Sequence, residues 1–148
     1  MMIINSMKQA AQVMWFYNRN QIQRMKIKKR QFEENRTITM FPEREIEKVV
    51  YPFLQQIYSS NISVYIARKD ILDVNLKLDW KNYQLILYNM IQNSIKYNFS
   101  NGIILILLNL KRRHQMEESF SFKSNEDENF VLETEVVDTG IGITDKRQ

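Results

Sequence analysis

The sequence predicts an α+β domain, with helices packed on one face of a sheet. A long N-terminal helix is predicted to precede this domain in the sequence. Three observations support this prediction. Apolar residues recur at helical spacing in three stretches, alternate with polar residues in three others, and fill one continuous run, IILILLNL at 103–110. Helices and strands that are interspersed in this way favour a layer of helices on a sheet. The 148 residues are enough for one such core.

Composition excludes several classes of protein. With 44% hydrophobic and 26% charged residues, the chain is typical of a globular protein rather than a disordered one. The absence of cysteine excludes a disulfide framework and a thiolate zinc site. The sequence shows neither a signal peptide nor a transmembrane run. We therefore expect an intracellular, cytoplasmic location, although a parent protein could be attached to a membrane.

Two basic patches, RMKIKKR at 24–30 and KRRH at 111–114, contribute to the net charge of +4. Such patches can bind phosphate backbones. Neither patch is interleaved with aromatic residues as in a platform for single strands, so both are interpreted as solvated surface charge. Nucleic-acid binding is therefore not expected for this chain.

Residues 1–30 are predicted as an N-terminal helical unit, with a helix over 3–28, and 31–40 as a linker. A seam of apolar residues recurs along the helix at intervals of four and three, namely Ile3, Met7, Ala10, Met14 and Tyr17. The seam can pair with another helix or another chain, or can be an ordinary stripe that faces the core. The sequence leaves both interpretations open.

Residues 41–148 are predicted to form the domain proper. Its first helix begins at Pro42 and carries apolar residues on one face, at Ile46, Val49, Val50, Phe53, Leu54 and Ile57. Pro52 lies inside this pattern, and its ring removes a backbone donor and clashes with the preceding turn. We expect a kink or an early end there.

Strands are predicted at 62–67, 74–79, 103–110 and 130–138. The run 103–110 is expected to be buried on both faces, and 111–129 to be a long polar loop. Asp79 is predicted to cap a helix that extends from Trp80 to about Asn98. Gly102 is expected to adopt the left-handed conformation after this helix.

The helix over 80–98 carries a polar stripe of Asn89, Asn93 and Lys96 beside an apolar sector. The apolar sector contains Tyr83, Ile86, Leu87, Met90, Ile91, Ser94 and Tyr97. Asparagine is a mediocre helix former, so two of them one turn apart suggest a function. Their amide oxygens suit magnesium, and the lysine suits a phosphate. Because this chain is rich in asparagine, a purely structural role remains the alternative.

The stretch VVDTGIGI at 136–143 holds two of the three glycines in the chain. Glycine allows a backbone to approach a ligand closely, and an aspartate at a strand end can accept hydrogen bonds from an amino group. The stretch therefore suits a flat polar ligand, although an ordinary turn also contains such glycines.

Taken together, the two stretches resemble a known family. NMIQNSIKYN at 89–98 resembles the asparagine box of the sensor histidine kinases, whose usual form is Asn-Leu-Leu-x-Asn-Ala-Ile-Lys-Tyr/Phe-Thr. DTGIGI at 138–143 resembles their first glycine box, and Asp79 matches their aspartate at the start of the asparagine-box helix. The resemblance covers residues 40–143, and residues 3–40 more loosely resemble the second helix of the family's dimerisation hairpin and its exit linker. It implies the ATP-binding fold of the histidine kinase, gyrase and heat-shock chaperone superfamily, a two-layer α/β sandwich of the Bergerat type.

The resemblance also implies the cofactors ATP and Mg²⁺ and a set of site residues. Those residues are Asn89, Asn93, Lys96, Tyr97, Asp138, Gly140 and Gly142. By similarity, Asn93 ligates the magnesium ion, Asn89 supports it, and the lysine and tyrosine lie beside the phosphates. Asp138 receives the adenine amino group, and the two glycines let the backbone pass close to the base.

The chain also departs from the family pattern. The family continues past the first glycine box with a lid and a second glycine-rich loop, so the domain is expected to be incomplete at its C-terminus. A short natural product, a fragment of a longer gene and a decaying gene copy would each explain this, and the sequence does not distinguish them. The single histidine, His114, lies in the charged loop and is interpreted as a surface residue. No phosphoacceptor histidine and no catalytic residue are therefore predicted within this chain.

The resemblance thus implies the ATP-binding domain of a two-component sensor histidine kinase, a family that transfers phosphate from Mg-ATP to histidine, here as a fragment that lacks the acceptor histidine. A full-length kinase or a phosphoacceptor protein would supply that histidine in trans. The alternative is a non-catalytic interaction module that pairs with or regulates a full-length kinase. The seam on the N-terminal helix also suggests a homodimer.

Overall fold

Four helices and five strands form within the described part of the chain, residues 2–31, 35–39, 41–69, 76–112 and 130–142 of a computed structural model. The helices are α1 (Met2–Lys28), α2 (Pro42–Val50), α3 (Leu54–Ser59) and α4 (Trp80–Lys96). The strands are β1 (Thr37–Thr39), β2 (Ser63–Arg68), β3 (Leu76–Leu78), β4 (Ile103–Arg112) and β5 (Phe130–Asp138). The predicted helices and strands occur in the predicted order, and β1 is an additional strand that was not predicted. The predicted loop at 111–129, including His114, lies mostly outside the described residues.

The main sheet has the strand order β2, β4, β5. β2 runs parallel to β4, with Val64 opposite Ile104, and β5 runs antiparallel to β4, with Leu105 opposite Val137. The chain passes through α4 between β2 and β4, as a parallel pair requires a crossover connection. β1 and β3 form a separate antiparallel pair. β1 lies in the stretch predicted as a linker, which therefore contains a short strand.

The core lies between the helices and one face of the main sheet. On β4, Ile104, Ile106 and Leu108 are buried and belong to one apolar cluster. The helices contribute Ile46 and Val49 of α2 and Leu87 and Ile91 of α4 to that cluster. This arrangement confirms the predicted two-layer α/β architecture.

The prediction that β4 is buried on both faces is wrong. Its alternate residues Leu105, Leu107 and Asn109 are only partly buried, and Ile103 is exposed. Neighbouring side chains of a strand point to opposite faces, so only one set faces the helices. An apolar run in a sequence does not reveal which of its two faces is covered.

α1 packs on the helical layer through Phe16, whose side chain is 3% exposed. Its ring stacks on that of Tyr88 in α4, with the ring centroids 4.5 Å apart. Burial raises the pKa of the Tyr88 hydroxyl above its ordinary value. Because Phe16 is the one buried apolar residue of α1 among its described side chains, this stack is the main apolar anchor of the helix.

The predicted seam of α1 does not face the core. Met7, Met14 and Tyr17 are 67%, 64% and 61% exposed, and Ala10 is also exposed. The side chain of Ile3 lies outside the described residues. The core-facing interpretation of the seam is therefore wrong, while pairing with another helix stays a prediction.

Two local predictions about chain breaks have different outcomes. The helix that begins at Pro42 is interrupted at Pro52, where residues Tyr51–Phe53 form a single 3₁₀ turn between α2 and α3. This result confirms the expected break. After α4, however, the left-handed residue is Asn101, with φ of 64°, and not Gly102. Asparagine tolerates this conformation better than most residues with a side chain.

Candidate functional site

α4 carries the first half of the candidate site, and Asp79 fixes where it begins. The Asp79 carboxylate accepts a hydrogen bond from the backbone N–H of Asn82 at 3.1 Å, which confirms the predicted cap. The predicted apolar sector is only partly correct. Ile86 is 63% exposed, and Met90 and Tyr97 are also exposed. These three residues lie beside the polar stripe rather than in the core.

Asn89 contacts α1. Its side-chain oxygen accepts a hydrogen bond from the Asn20 amide at 2.7 Å, and its own amide donates to Asn20 at 3.2 Å and to the Leu85 carbonyl at 2.8 Å. Gln23 of α1 donates in the same way to Asn82 at 2.7 Å. Asn89, the first residue of the polar stripe, therefore takes part in the docking of α1, together with Asn82.

Asn93 and Lys96 follow Asn89 on the same stripe, and both are exposed. The Lys96 ammonium lies 4.9 Å from the centroid of the Tyr97 ring, in a cation–π contact. No group of three or more His, Cys, Asp or Glu side chains is placed to hold a metal within the described residues. Mg²⁺ often takes only one or two protein ligands and completes its shell with water and phosphates. The exposed Asn93 amide fits that mode of binding.

Asp138, the last residue of β5, is the centre of the second half of the site. One carboxylate oxygen accepts a hydrogen bond from the Ser94 hydroxyl of α4 at 2.7 Å. The other accepts the backbone N–H of Gly140 at 2.9 Å. The carboxylate remains exposed while both of its oxygens are held.

The backbone after Asp138 is attached to the end of α4. The N–H of Ile141 donates to the Tyr97 carbonyl at 3.1 Å. A Cβ at Gly140 would lie 2.6 Å from that same carbonyl oxygen, so this approach requires glycine. Gly142 has φ of 67°, and among the described residues no atom lies within 4 Å of the Cβ position there. Gly140 thus joins the glycine stretch to the helix, and Gly142 adopts a left-handed conformation after it.

The structure therefore brings together Tyr97, Asp138 and Gly140 from the two predicted motifs, with Gly142 next to them. Asn89 lies instead against α1, and Asn93 and Lys96 occupy the exposed stripe of α4. Ser94 was not among the residues predicted for the site. Its signal was a serine where the asparagine box usually has alanine, one of four departures of this stretch from the usual form.

Known structures share this arrangement of helices and strands. The catalytic domain of histidine kinase ThkA is 20% identical to the chain, with a TM-score of 0.54 over 76% of this chain and 61% of that one. Histidine kinase AdeS of Acinetobacter baumannii is 20% identical, with a TM-score of 0.56 over 82% of this chain and 51% of its own. The cytoplasmic segment of histidine kinase QseC is 12% identical, with a TM-score of 0.51 over 63% and 66% of the two chains.

The chain has the histidine-kinase catalytic fold. It spans 61% of the matched ThkA chain and about half of the AdeS chain. No protein-family model and no curated protein matches the sequence. None of the helices in the described part of this histidine-kinase-like domain is long and apolar enough to cross a membrane.

Proposed function

We propose that this chain binds ATP together with Mg²⁺, as the ATP-binding domain of a two-component sensor histidine kinase. One observation carries the proposal. The two stretches that resemble nucleotide-binding motifs are 44 residues apart at Ser94 and Asp138, yet these side chains are joined by a hydrogen bond of 2.7 Å. Sequence motifs that fold into a single exposed site are stronger evidence of a function than either motif alone.

The base end of the proposed site is formed by Asp138 and the glycine stretch. An exposed carboxylate with both oxygens held in place can accept the amino group of adenine. Gly142 has no side chain with which a flat base could clash, and among the described residues no atom lies within 4 Å of its Cβ position. The exposed Ile86 and Met90 of α4 offer apolar surface near the polar stripe.

The phosphate end is formed by the polar stripe of α4. Asn93 would ligate the magnesium ion through its amide oxygen, and Lys96 with Tyr97 would lie beside the phosphates. Asn89 would support Asn93 from one helical turn away, while it holds α1 through Asn20. A lysine and a bound metal ion are the groups that neutralise phosphate charge in phosphoryl transfer.

The fold resemblance and the two sequence motifs support phosphoryl transfer as the reaction class. Phosphate would pass from Mg-ATP to a histidine of a partner protein, such as a full-length kinase or a phosphoacceptor protein. In this chemistry the protein contributes positioning and charge neutralisation rather than covalent steps. The chain would supply the nucleotide site, and its partner the acceptor.

Titration with a fluorescent ATP analogue, with and without Mg²⁺, tests the proposal. We expect saturable binding that Mg²⁺ strengthens. Asn93→Ala should remove most of that strengthening, about tenfold in Kd, because one metal ligand is lost. Gln92→Ala, which removes an exposed amide from the neighbouring position of α4, is the matched control. Equal losses with and without Mg²⁺ would count against Asn93 as a metal ligand.

The exposed seam of α1 favours a second candidate function, that of a non-catalytic interaction module. Met7, Met14 and Tyr17 present apolar surface on the side of α1 that does not contact the domain. Large exposed apolar surfaces on soluble proteins often mark sites of association. Along this seam the helix would pair with a second copy of this chain or with a full-length kinase.

Met14→Glu tests the interaction hypothesis by sedimentation of the purified chain over a range of concentrations. If the wild-type chain dimerises through the seam, the variant should raise the dimer dissociation constant about tenfold or more, because a charge would be buried without a partner. Lys8→Gln changes the net charge equally on another side of the helix and should leave the dimer intact. A monomeric wild-type chain would disprove homodimerisation.

A further inference from the structure

We propose that Ser94 is a positioning residue, which orients the Asp138 carboxylate so that the site accepts a base with an amino group and rejects one with an oxo group. This inference rests on the proposed function and deepens it, because it assigns base selectivity to a residue outside the predicted nucleotide contacts. Ser94 acts through Asp138 and need not contact the nucleotide itself.

The geometry around the carboxylate supports this role. Ser94 is 6% exposed on α4, and its hydroxyl donates to one Asp138 oxygen at 2.7 Å, a distance typical of a strong hydrogen bond to an ionised acceptor. The Gly140 N–H donates to the other oxygen at 2.9 Å. The two donors lie on different parts of the chain, α4 and the glycine stretch. Together they fix the orientation of the carboxylate plane.

A second set of contacts makes this orientation rigid. The Gly140 donor is itself fixed, because the next residue, Ile141, donates to the Tyr97 carbonyl at the end of α4. Thr139 pairs with Ile103 through both its backbone N–H, at 3.1 Å, and its hydroxyl, which accepts at 2.9 Å. The donors are therefore in place before a ligand arrives, which lowers the cost of ordering on binding.

The fixed carboxylate can discriminate between bases. Each oxygen keeps lone pairs that the Ser94 and Gly140 donors do not use. These lone pairs suit the amino group at position 6 of adenine, which donates hydrogen bonds. The oxo group of hypoxanthine at the same position is an acceptor. It would meet the carboxylate oxygens, which are also acceptors, so no hydrogen bond would form and the two groups would repel each other. A carboxylate that could rotate freely would discriminate less well.

Ser94→Ala separates this role from a general effect on the fold. The nucleotide pair is ATP and inosine triphosphate, which share the sugar and phosphates and differ at the base. We expect the variant to bind ATP about tenfold more weakly, the effect of one charge-assisted hydrogen bond, and to bind inosine triphosphate as the wild type does. Ser59→Ala, at the end of α3, removes a hydroxyl that bonds locally to Gln56 and is the matched control.

A measurement without nucleotide accompanies the titrations. The Gly140 amide proton, followed by NMR, reports on its hydrogen bond to Asp138. Ser94→Ala should change the chemical shift of this proton and increase the dependence of that shift on temperature, because the carboxylate is then held by only one donor. Ser59→Ala should not move it.

The outcomes distinguish the two proposals. Equal weakening of both nucleotides by Ser94→Ala, or unchanged ATP affinity, would overturn the role of Ser94 while leaving the proposed function intact. An unchanged Gly140 signal would overturn it as well. A folded wild-type chain that binds neither nucleotide would overturn the proposed function and base selection with it. A selective loss of ATP affinity together with a shifted Gly140 signal supports the inference.

Discussion

Asp138→Asn is expected to lower the affinity for ATP about a hundredfold while leaving the domain folded. The substitution keeps the shape of the side chain but replaces one acceptor oxygen with an NH₂ donor. In the proposed site, that donor would face the adenine amino group, which is itself a donor. A hydrogen bond to a charged group contributes about 1.5–3 kcal/mol, and the variant leaves an unpaired donor in its place.

The fold should tolerate this change because of the two groups that hold Asp138. The remaining amide oxygen can still accept the Gly140 N–H, as the carboxylate does at 2.9 Å. The new NH₂ group would then face the Ser94 hydroxyl, which can turn and accept a hydrogen bond instead of donating one. We therefore expect the free energy of unfolding to change by less than about 1 kcal/mol.

Titration with the fluorescent ATP analogue measures the affinity, and circular dichroism during heating measures the stability. Glu135→Gln is the matched control, since it removes a charge from an exposed carboxylate on the same strand. It should change the affinity by less than about twofold. Sedimentation of Asp138→Asn should match that of the wild-type chain if the seam of α1 acts separately from the site. ATP binding equal to that of the wild type would contradict the role of Asp138.

How much the sequence could predict depended on the range of the interactions involved. The Asp79 cap and the break at Pro52 were predictable because each depends on a side chain and the backbone next to it. The two motifs were also found, because their residues are close in sequence. Ser94 was not recognised, since its partner Asp138 is 44 residues away and only the fold brings them within 2.7 Å.

The spacing of apolar residues identified the apolar faces of the helices, but it did not show what each face packs against. On α4, apolar residues nearly surround the helix, so the pattern did not separate the buried Leu87 and Ile91 from the exposed Ile86. On α1, the regular seam was the obvious apolar face, yet the helix docks through Phe16 and amides such as Asn20. The amides were unpredictable because each needs a matching group on another helix.

Phe16→Ala is expected to destabilise the protein by about 3–4 kcal/mol, because it removes the apolar anchor of α1. The Phe16 ring is almost fully buried and stacks on Tyr88, which also contacts Phe53 with ring centroids 4.9 Å apart. The remaining contacts of α1 with α4 include the amide pairs of Asn20 and Gln23. Water competes well for such polar pairs, so each adds only about 1 kcal/mol.

Urea denaturation followed by circular dichroism measures this loss, and hydrogen exchange locates it. Tyr17→Ala removes a neighbouring aromatic ring that is mostly exposed, so it should cost less than about 0.5 kcal/mol at concentrations where the chain is monomeric. In Phe16→Ala, the amides of α1 should exchange faster than those of α4, because α1 would detach before the core unfolds. Similar losses for the two variants would mean that α1 is not anchored to the domain through Phe16.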